Sequence, residues 1–384
     1  MIFSTDMNKL QQNLIFFIKW TIIFGLLITF SLVVFDSYYF GKTVLAPLNI
    51  VMYNVFPSNP NGGPDLYGTE PLSYYLINCV LNFNILVPVF TAAVAFIIFA
   101  DKLYVDKTST TNLKLRNSFM VILFAVFLWV LIFFTRPHKE ERFLYPIYPL
   151  FLIIASVSMS LVRSVMKRVF KSSIIGQLMD KLPHLIVLVH AIISIMRIVA
   201  LFKNFSSSLS VYEILNKPEI KFNHPILDSK ENINVCVEKE WYRFPSSFFI
   251  PENLDETTKK QTWRMKFVES PFKGQLPGNF NENLSLPEST RFADPLFNDD
   301  NKEVRERYIN IKKCDFFIDT DTMHDEVTNE LKIGGVKTKW RTVAKLPFID
   351  MGAKSNRFLR AFYVPYLYET EVRITFFKLR VRVY

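Results

Sequence analysis

Cysteine is scarce in this chain: Cys79, Cys236 and Cys314 are the three among 384 residues. That is too few for a fold held mainly by disulfides. Histidine occurs five times, and His184 and His190 are not at the i, i+4 spacing that places two metal ligands on one helix face, so no zinc pattern arises. The eleven glycines form no dinucleotide fingerprint. The Pro/Gly/Asn stretch Ser58–Asp65 has no Lys-Ser or Lys-Thr pair after it, which leaves nucleotide binding without its usual phosphate loop. No nucleophile elbow occurs. Neither a cofactor nor a metal is expected.

Apolar and aromatic residues are abundant. Half of the chain is hydrophobic, 15% is aromatic and 38 residues are Phe. A bilayer crossing takes about 20 apolar residues, and five stretches qualify or nearly do: Leu14–Phe35, Phe83–Ala100, Ser118–Phe134, Phe143–Val162 and Leu185–Phe202. Their number and spacing disfavour the alternative, buried core helices of a soluble protein. Net charge is +10, but its placement argues against nucleic acid as the partner. Lys102, Lys107, Lys114 and Arg116 fall between the second and third stretches; Arg163, Lys167, Arg168, Lys171 and Lys181 fall between the fourth and fifth. Short basic loops stay cytoplasmic, so the loops 36–82 and 135–142, and everything after Phe202, are expected on the opposite side. Residues 1–203 therefore read as a transmembrane domain and 204–384 as a second domain. Met1–Asn13 lacks the features of a cleavable signal, so the first span is expected to act as its own anchor.

The densest polar stretch is Thr135–Leu150, which contains Arg136, His138, Lys139, Glu140, Glu141 and Arg142 between two apolar runs. Charges clamped between spans usually mark a functional site. One reading is a short polar hairpin, with Pro137 and Pro146 ending and starting helices. The other is an anion site, with Arg136, His138, Lys139 and Arg142 holding a phosphate and the two glutamates orienting them. Asp36, at the end of the first span among Tyr38, Tyr39 and Lys42, has a similar pair of readings: a helix-end residue or a functional acid. Ala46–Phe56 is amphipathic and suits a membrane surface. Asp65 and Glu70 are further acids on the same expected side.

In the tail, Ile233–Val237, Tyr308–Ile311 and Val372–Phe376 read as strands, and residues 251–299 as mostly loop. Cys236 and Cys314 share the non-cytoplasmic side, where a disulfide is chemically allowed. Two glycosylation sequons occur, at Asn204 and Asn283; Asn283 is the better acceptor because Asn204 lies close to the membrane. Asp319-Thr-Asp321 has the form of a metal-holding pair, but its position after a strand favours a turn or strand-end feature.

His138-Lys-Glu-Glu-Arg-Phe143 resembles the His-Lys-Glu-x-Arg-Phe signature of glycosyltransferase family 22, the multi-spanning mannosyltransferases that use dolichyl-phosphate-mannose. Asp36-Ser-Tyr-Tyr-Phe-Gly41 and Tyr67-Gly-Thr-Glu-Pro71 resemble further segments of that family. The tail stretches Lys239–Phe248, Phe272–Pro277, Arg307–Cys314 and Leu359–Pro365 resemble its alpha-1,2-mannosyltransferase branch in the endoplasmic reticulum membrane. The resemblance implies a polytopic α-helical membrane protein with a luminal C-terminal domain of mixed α/β or mostly β structure. It implies transfer of mannose to a lipid-linked oligosaccharide, and no metal for a lipid monophosphate donor. His138, Lys139 and Arg142 would hold the donor phosphate, Arg136 and Glu140 would assist, and Asp36, Tyr38, Tyr39 and Lys42 would position substrate. The family carries an acidic first luminal loop with the expected catalytic base, and this chain matches the C-terminal part of the pattern. Asp36, Asp65 and Glu70 are the local candidates for that base; the alternative is a catalytically incomplete fragment. A transporter or lipid-binding protein is disfavoured, because Lys19 and Arg197 alone make a poor pathway and no inverted repeat is evident.

Overall fold

The structure is a computed structural model that describes residues 7–383, except 57–62, 90, 92–109, 171–173, 218–219, 221–229, 244, 246, 252–260, 272, 279–280, 282, 293, 299, 321–329 and 334–335. The chain divides into two compact units, Met1–Ser194 with Phe280–Ala293, and Ile195–Asn279 with Asp294–Tyr384. The first thus ends nine residues before the boundary expected from hydropathy and also takes in a short piece of the tail.

The first unit is helical: α1 (Met7–Phe40), α2 (Ala46–Val55), α3 (Ser73–Phe83), α4 (Thr110–Phe134), α5 (Tyr148–Val169) and α6 (Ile174–Phe205, whose last turns belong to the second unit). Among the described residues three segments are long and apolar enough to cross a membrane: Leu14–Phe40, Glu141–Ser160 and Asp180–Phe205. A shorter apolar stretch, Phe119–Phe134, lies where a further span is expected. The expected span at 83–100 falls largely outside the described residues. In α1, Leu26, Phe30 and Phe35 are 67, 70 and 64% exposed. Side chains of that kind are stable in hydrocarbon and unstable in water.

Two expectations for the stretch 36–82 need revision. Asp36, Tyr38 and Tyr39 lie in the last turns of α1 rather than in a loop, and residues 73–83 form α3. Tyr75, Cys79 and Phe83 recur every four residues, a helical face, and they are buried with Phe119 and Val126 of α4 and Phe151, Ile154 and Ala155 of α5. Asn84 ends α3 with φ of 38°, a conformation that asparagine tolerates better than most residues. Its Oδ1 lies 3.0 Å from His190 Nδ1 and its Nδ2 donates to Ser194 Oγ at 3.3 Å, tying this break to α6. Between α4 and α5, residues Glu141–Ile147 form a 3₁₀ helix that contains Pro146. A proline has no N–H and disfavours helical backbone before it, so a regular α-helix starts only at Tyr148.

The second unit is built on a six-stranded sheet: β1 (Asn232–Val237), β2 (Thr262–Phe267), β3 (Phe316–Thr320), β4 (Glu330–Ile333), β5 (Val336–Ile349) and β6 (Ile374–Arg382), in the order β2-β1-β3-β6-β5-β4. β1 is parallel to both β2 and β3, whereas β3–β6 and β6–β5 are antiparallel. Alternation sorts the core. Ile233, Val235, Phe316, Ile318, Phe377 and Leu379 share one buried cluster with Val211, Tyr212 and Leu215, whereas Cys236, Phe317 and Trp340 belong to another. Cys236 and Cys314 are joined by a disulfide, which fixes the turn before β3 to the neighbouring strand β1.

Strands expected at 233–237 and 372–376 correspond to β1 and to β6, which starts two residues late. The strand expected at Tyr308–Ile311 does not form. Arg305–Arg307 and Ile311–Lys313 are 3₁₀ turns, and Tyr308 makes only an isolated bridge to Phe267. Among the described residues of 251–299 are β2 and a helical turn, Glu288–Arg291. Asp319 is the fourth residue of the buried strand β3, and Asp321 lies outside the described residues.

Candidate active site

The turn between α4 and α5 is pinned to the segment that precedes α3. Glu70 N donates to Pro137 O at 3.0 Å. His138 Nδ1 lies 2.7 Å from Gly68 O and its Nε2 3.0 Å from Glu140 Oε1. Both partners are acceptors, so the doubly protonated ring satisfies both contacts and a neutral ring only one. Lys139 Nζ donates to Glu70 O at 2.9 Å and to Arg136 O. His138 and Lys139 are 8 and 7% exposed, so burial keeps both of these bonds out of competition with water.

Arg142 differs. Its side chain is 68% exposed, and Glu140 holds it in a fork: Nη2 donates to Oε1 at 2.9 Å and Nε pairs with Oε2. Two-point pairing of this kind fixes a guanidinium in direction. Arg142 also lies over the Phe143 ring, with Cζ 5.8 Å from its centroid. Glu141 accepts from Asn82 Nδ2 at 2.5 Å, and Trp129 Nε1 donates to Phe143 O at 2.7 Å, so neighbouring helices support the turn from both ends.

Arg136 Nη1 donates to Val55 O, the last residue of α2, at 3.0 Å. Its Nε is buried and carries no hydrogen bond among the described residues. At the other end of α2, Asp36 Oδ2 accepts from Ala46 N at 3.1 Å, and Ser37 Oγ accepts from Val44 N at 3.1 Å. An acid at the helix start and a cation at its end both suit the macrodipole. Ten residues of helix separate them, about 15 Å at 1.5 Å per residue. Asp36 therefore stands apart from the cationic turn and caps a helix.

Tyr38 O accepts from Arg291 Nε at 3.0 Å and Nη2 at 2.9 Å, and Tyr39 O accepts from Thr290 Oγ1 at 2.7 Å. The end of α1 is thus strapped by residues 290–291, a contact for which the sequence carries no signal. Gly41, with φ of +65°, follows directly; a Cβ there would stand 3.0 Å from Arg291 Cγ. Lys42 is exposed. Asp65 lies in the 3₁₀ turn Pro64–Tyr67 and is exposed, as is the Glu70 side chain, whose backbone is tied to the turn.

The structure therefore brings together His138, Lys139, Glu140, Arg142, Arg136 and Glu70, and sets Asp36, Tyr38, Tyr39 and Lys42 at a separate junction. The residues that sequence reasoning passes over are acceptors: the carbonyls of Val55, Gly68 and Glu70. Among the described residues no group of three or more His, Cys, Asp or Glu side chains is placed to hold a metal ion. Asn283 is exposed. Asn204 is not available: it is 1% exposed, its Nδ2 donates to Arg360 O at 2.8 Å and its Oδ1 accepts from Tyr368 Oη at 2.5 Å.

Alpha-1,2-mannosyltransferase ALG9 of Mus musculus is 38% identical over 385 residues, covering 95% of this chain and 57% of the mouse protein. Alpha-1,2-mannosyltransferase Alg9 of Drosophila melanogaster is 34% identical over 384 residues, with 98 and 58% covered. Alpha-1,2-mannosyltransferase algn-9 of Caenorhabditis elegans is 38% identical over 371 residues, with 94 and 58% covered. The chain spans less than three fifths of the length of these relatives. No solved structure matches. The profile of the Alg9-like mannosyltransferase family matches residues 1–251, almost two thirds of the sequence, and the chain belongs to that family.

Proposed function

We propose that this chain takes part in transferring mannose from dolichyl-phosphate-mannose to a lipid-linked oligosaccharide, in alpha-1,2 linkage, at the luminal face of the endoplasmic reticulum membrane. The observation that carries this reading is Arg142: an exposed guanidinium, aimed by Glu140 and standing where a chain segment leaves the apolar zone. Transfer with inversion leaves a lipid phosphate as the departing group. A fixed cation beside the developing charge stabilises the transition state more than the ground state.

Lys139 adds positive charge next to that position, while the hydrogen bonds of His138 and Lys139 hold the turn in shape. Arg136 contributes from two residues before His138. The general base that takes the acceptor hydroxyl proton has Asp36, Asp65 and Glu70 as local candidates. Glu70 adjoins the cationic turn, and its carboxylate is exposed. The basic loops described above support a luminal position for the turn and for residues 204–384.

The test is expression in cells that lack alpha-1,2-mannosyl transfer to the lipid-linked oligosaccharide, followed by sizing of that oligosaccharide. Extension is expected with the parent chain. Arg142→Met should reduce the rate by about 10²-fold, the usual effect of removing one transition-state donor, with membrane insertion unchanged. Full transfer by the Arg142→Met form would overturn the assignment. If extension requires a longer chain that contains this one, and Arg142→Met slows it to the same extent, residues 1–384 are the donor-handling part of the enzyme.

A further inference from the structure

The second unit contains a cavity of about 530 Å³, lined by Lys239, Glu240, Tyr242, Arg243, Thr320 and Asp350, with Phe348 and residues of the 351–352 turn completing it. That volume is in the range of about 300–1,000 Å³ in which proteins hold small ligands. We propose that this cavity is a carbohydrate subsite that binds a neutral mono- or disaccharide portion of the acceptor glycan. The proposal deepens the transferase reading above and rests on it for the identity of the sugar.

The charges of the lining favour a neutral ligand. Lys239 and Arg243 are balanced by Glu240 and Asp350, so neither a phosphate nor a cation finds a field of one sign. What remains is a set of directed donors and acceptors. Glu240 is 5% exposed; its Oε1 accepts from Thr320 Oγ1 at 2.7 Å and its Oε2 from Arg243 Nε at 2.5 Å. Those two bonds leave Glu240 as the orienter of Arg243. The Arg243 guanidinium also lies over two rings, with Cζ 4.8 Å from the Tyr242 centroid and 4.7 Å from that of Phe348. Its terminal nitrogens carry no hydrogen bond among the described residues.

Asp350 is built in the same way. One oxygen, Oδ1, accepts from Gly352 N at 2.9 Å and Ala353 N at 3.1 Å, which fixes the carboxylate. Its second oxygen accepts from no described residue. An oriented guanidinium and an oriented carboxylate are a donor pair and an acceptor, the set that vicinal hydroxyls of a pyranose satisfy, since each hydroxyl both donates and accepts. Tyr242, 39% exposed, supplies an apolar ring face for the C–H side of the sugar. Side chains locked by their own hydrogen bonds lose little entropy when a ligand binds.

The probe is alpha-1,2-mannobiose, added to the full chain in detergent micelles and followed by saturation-transfer NMR. Binding to the parent chain is expected, and Arg243→Met and Asp350→Asn should each weaken it at least about tenfold. Asp350→Asn keeps an oxygen for Gly352 and Ala353, so it preserves the turn even if Arg243→Met disturbs folding. Retained disulfide and thermal midpoint identify the folded forms. Absence of transfer to the parent chain, an affinity unchanged in a folded Asp350→Asn form, or displacement of the disaccharide by equimolar inorganic phosphate would each overturn the subsite. Oligosaccharide extension measured on the same proteins separates the two readings. Extension without mannobiose binding removes the subsite and leaves the transferase; mannobiose binding lost in Asp350→Asn, with no extension by these forms or by a longer chain that contains them, does the reverse.

Discussion

Replacing Lys139 by methionine distinguishes a cation that faces the donor from one that holds the turn. Methionine keeps the apolar stem and removes the ammonium, together with its bonds to Glu70 O at 2.9 Å and to Arg136 O. Hydrogen bonds to a charged group contribute about 1.5–3 kcal/mol each. Their combined loss is offset in part because the substitution also removes the desolvation of a buried ammonium, leaving about 2–4 kcal/mol. For a unit of this size about 1 kcal/mol moves a thermal midpoint by about 2–4 °C, so a fall of roughly 4–16 °C is expected for the purified protein in detergent. The local readout is sharper. Glu70 N donates to Pro137 O at 3.0 Å, and that amide should exchange with deuterium about 30- to 1,000-fold faster once the pin is gone. An unchanged midpoint and unchanged protection at Glu70, combined with lost mannose transfer, would refute the reasoning and put the Lys139 ammonium on the donor instead.

Other substitutions test separate parts of the molecule. Gly41→Ala forces a Cβ into a left-handed backbone position and towards Arg291 Cγ; a loss of about 1–2 kcal/mol is expected, visible on a reducing gel as faster tryptic cleavage after Arg291. Burial pushes Asp319 well above the usual carboxylate range, with Lys239 opposing and the Glu238 carboxyl reinforcing the shift. The folded form therefore holds the Asp319 proton more tightly than the unfolded chain, so its stability is fullest below the unfolded carboxylate value of about 3.9 and is lost as pH rises toward the folded one. Asp319→Asn should accordingly raise the midpoint at pH 7, with the gain vanishing near pH 4; equal midpoints at both pH values would contradict this. If residues 204–384 are luminal, endoglycosidase H should shift the parent chain on a gel and fail to shift Asn283→Gln. Asn204→Gln should leave the glycan unchanged and lower stability by about 1–3 kcal/mol, because it disturbs two buried hydrogen bonds.

Much of the helical unit is legible from hydropathy, because a lipid-exposed helix must be apolar on every side. The sequence also identifies the polar turn at 135–142, since charges between apolar runs need a physical reason. It does not reveal what those charges touch. The partners of His138, Lys139 and Arg136 are backbone carbonyls of Gly68, Glu70 and Val55, and a carbonyl is present at every residue. For the same reason Asp36 reads equally well as a substrate residue or a cap until α2 is seen to begin at Ala46. The apparent strand at Tyr308–Ile311 shows the limit of a period-two pattern over four residues. Asn310 caps the turn that follows, accepting from Lys312 N at 2.9 Å, and this local bond prevails over pairing with the sheet.

The disulfide between Cys236 and Cys314 has a consequence for how the second unit responds to damage. Its two half-cystines lie 78 residues apart, at the end of β1 and just before β3. The segment between them holds β2 and the long polar stretch that follows it. A protease that cuts anywhere inside this covalent ring opens the loop without releasing either end. β1 and β3 stay side by side, and the two pieces travel together through purification and non-reducing electrophoresis. Only a reductant would disclose the break, so a nicked molecule and an intact one are indistinguishable by size until the thiols are freed.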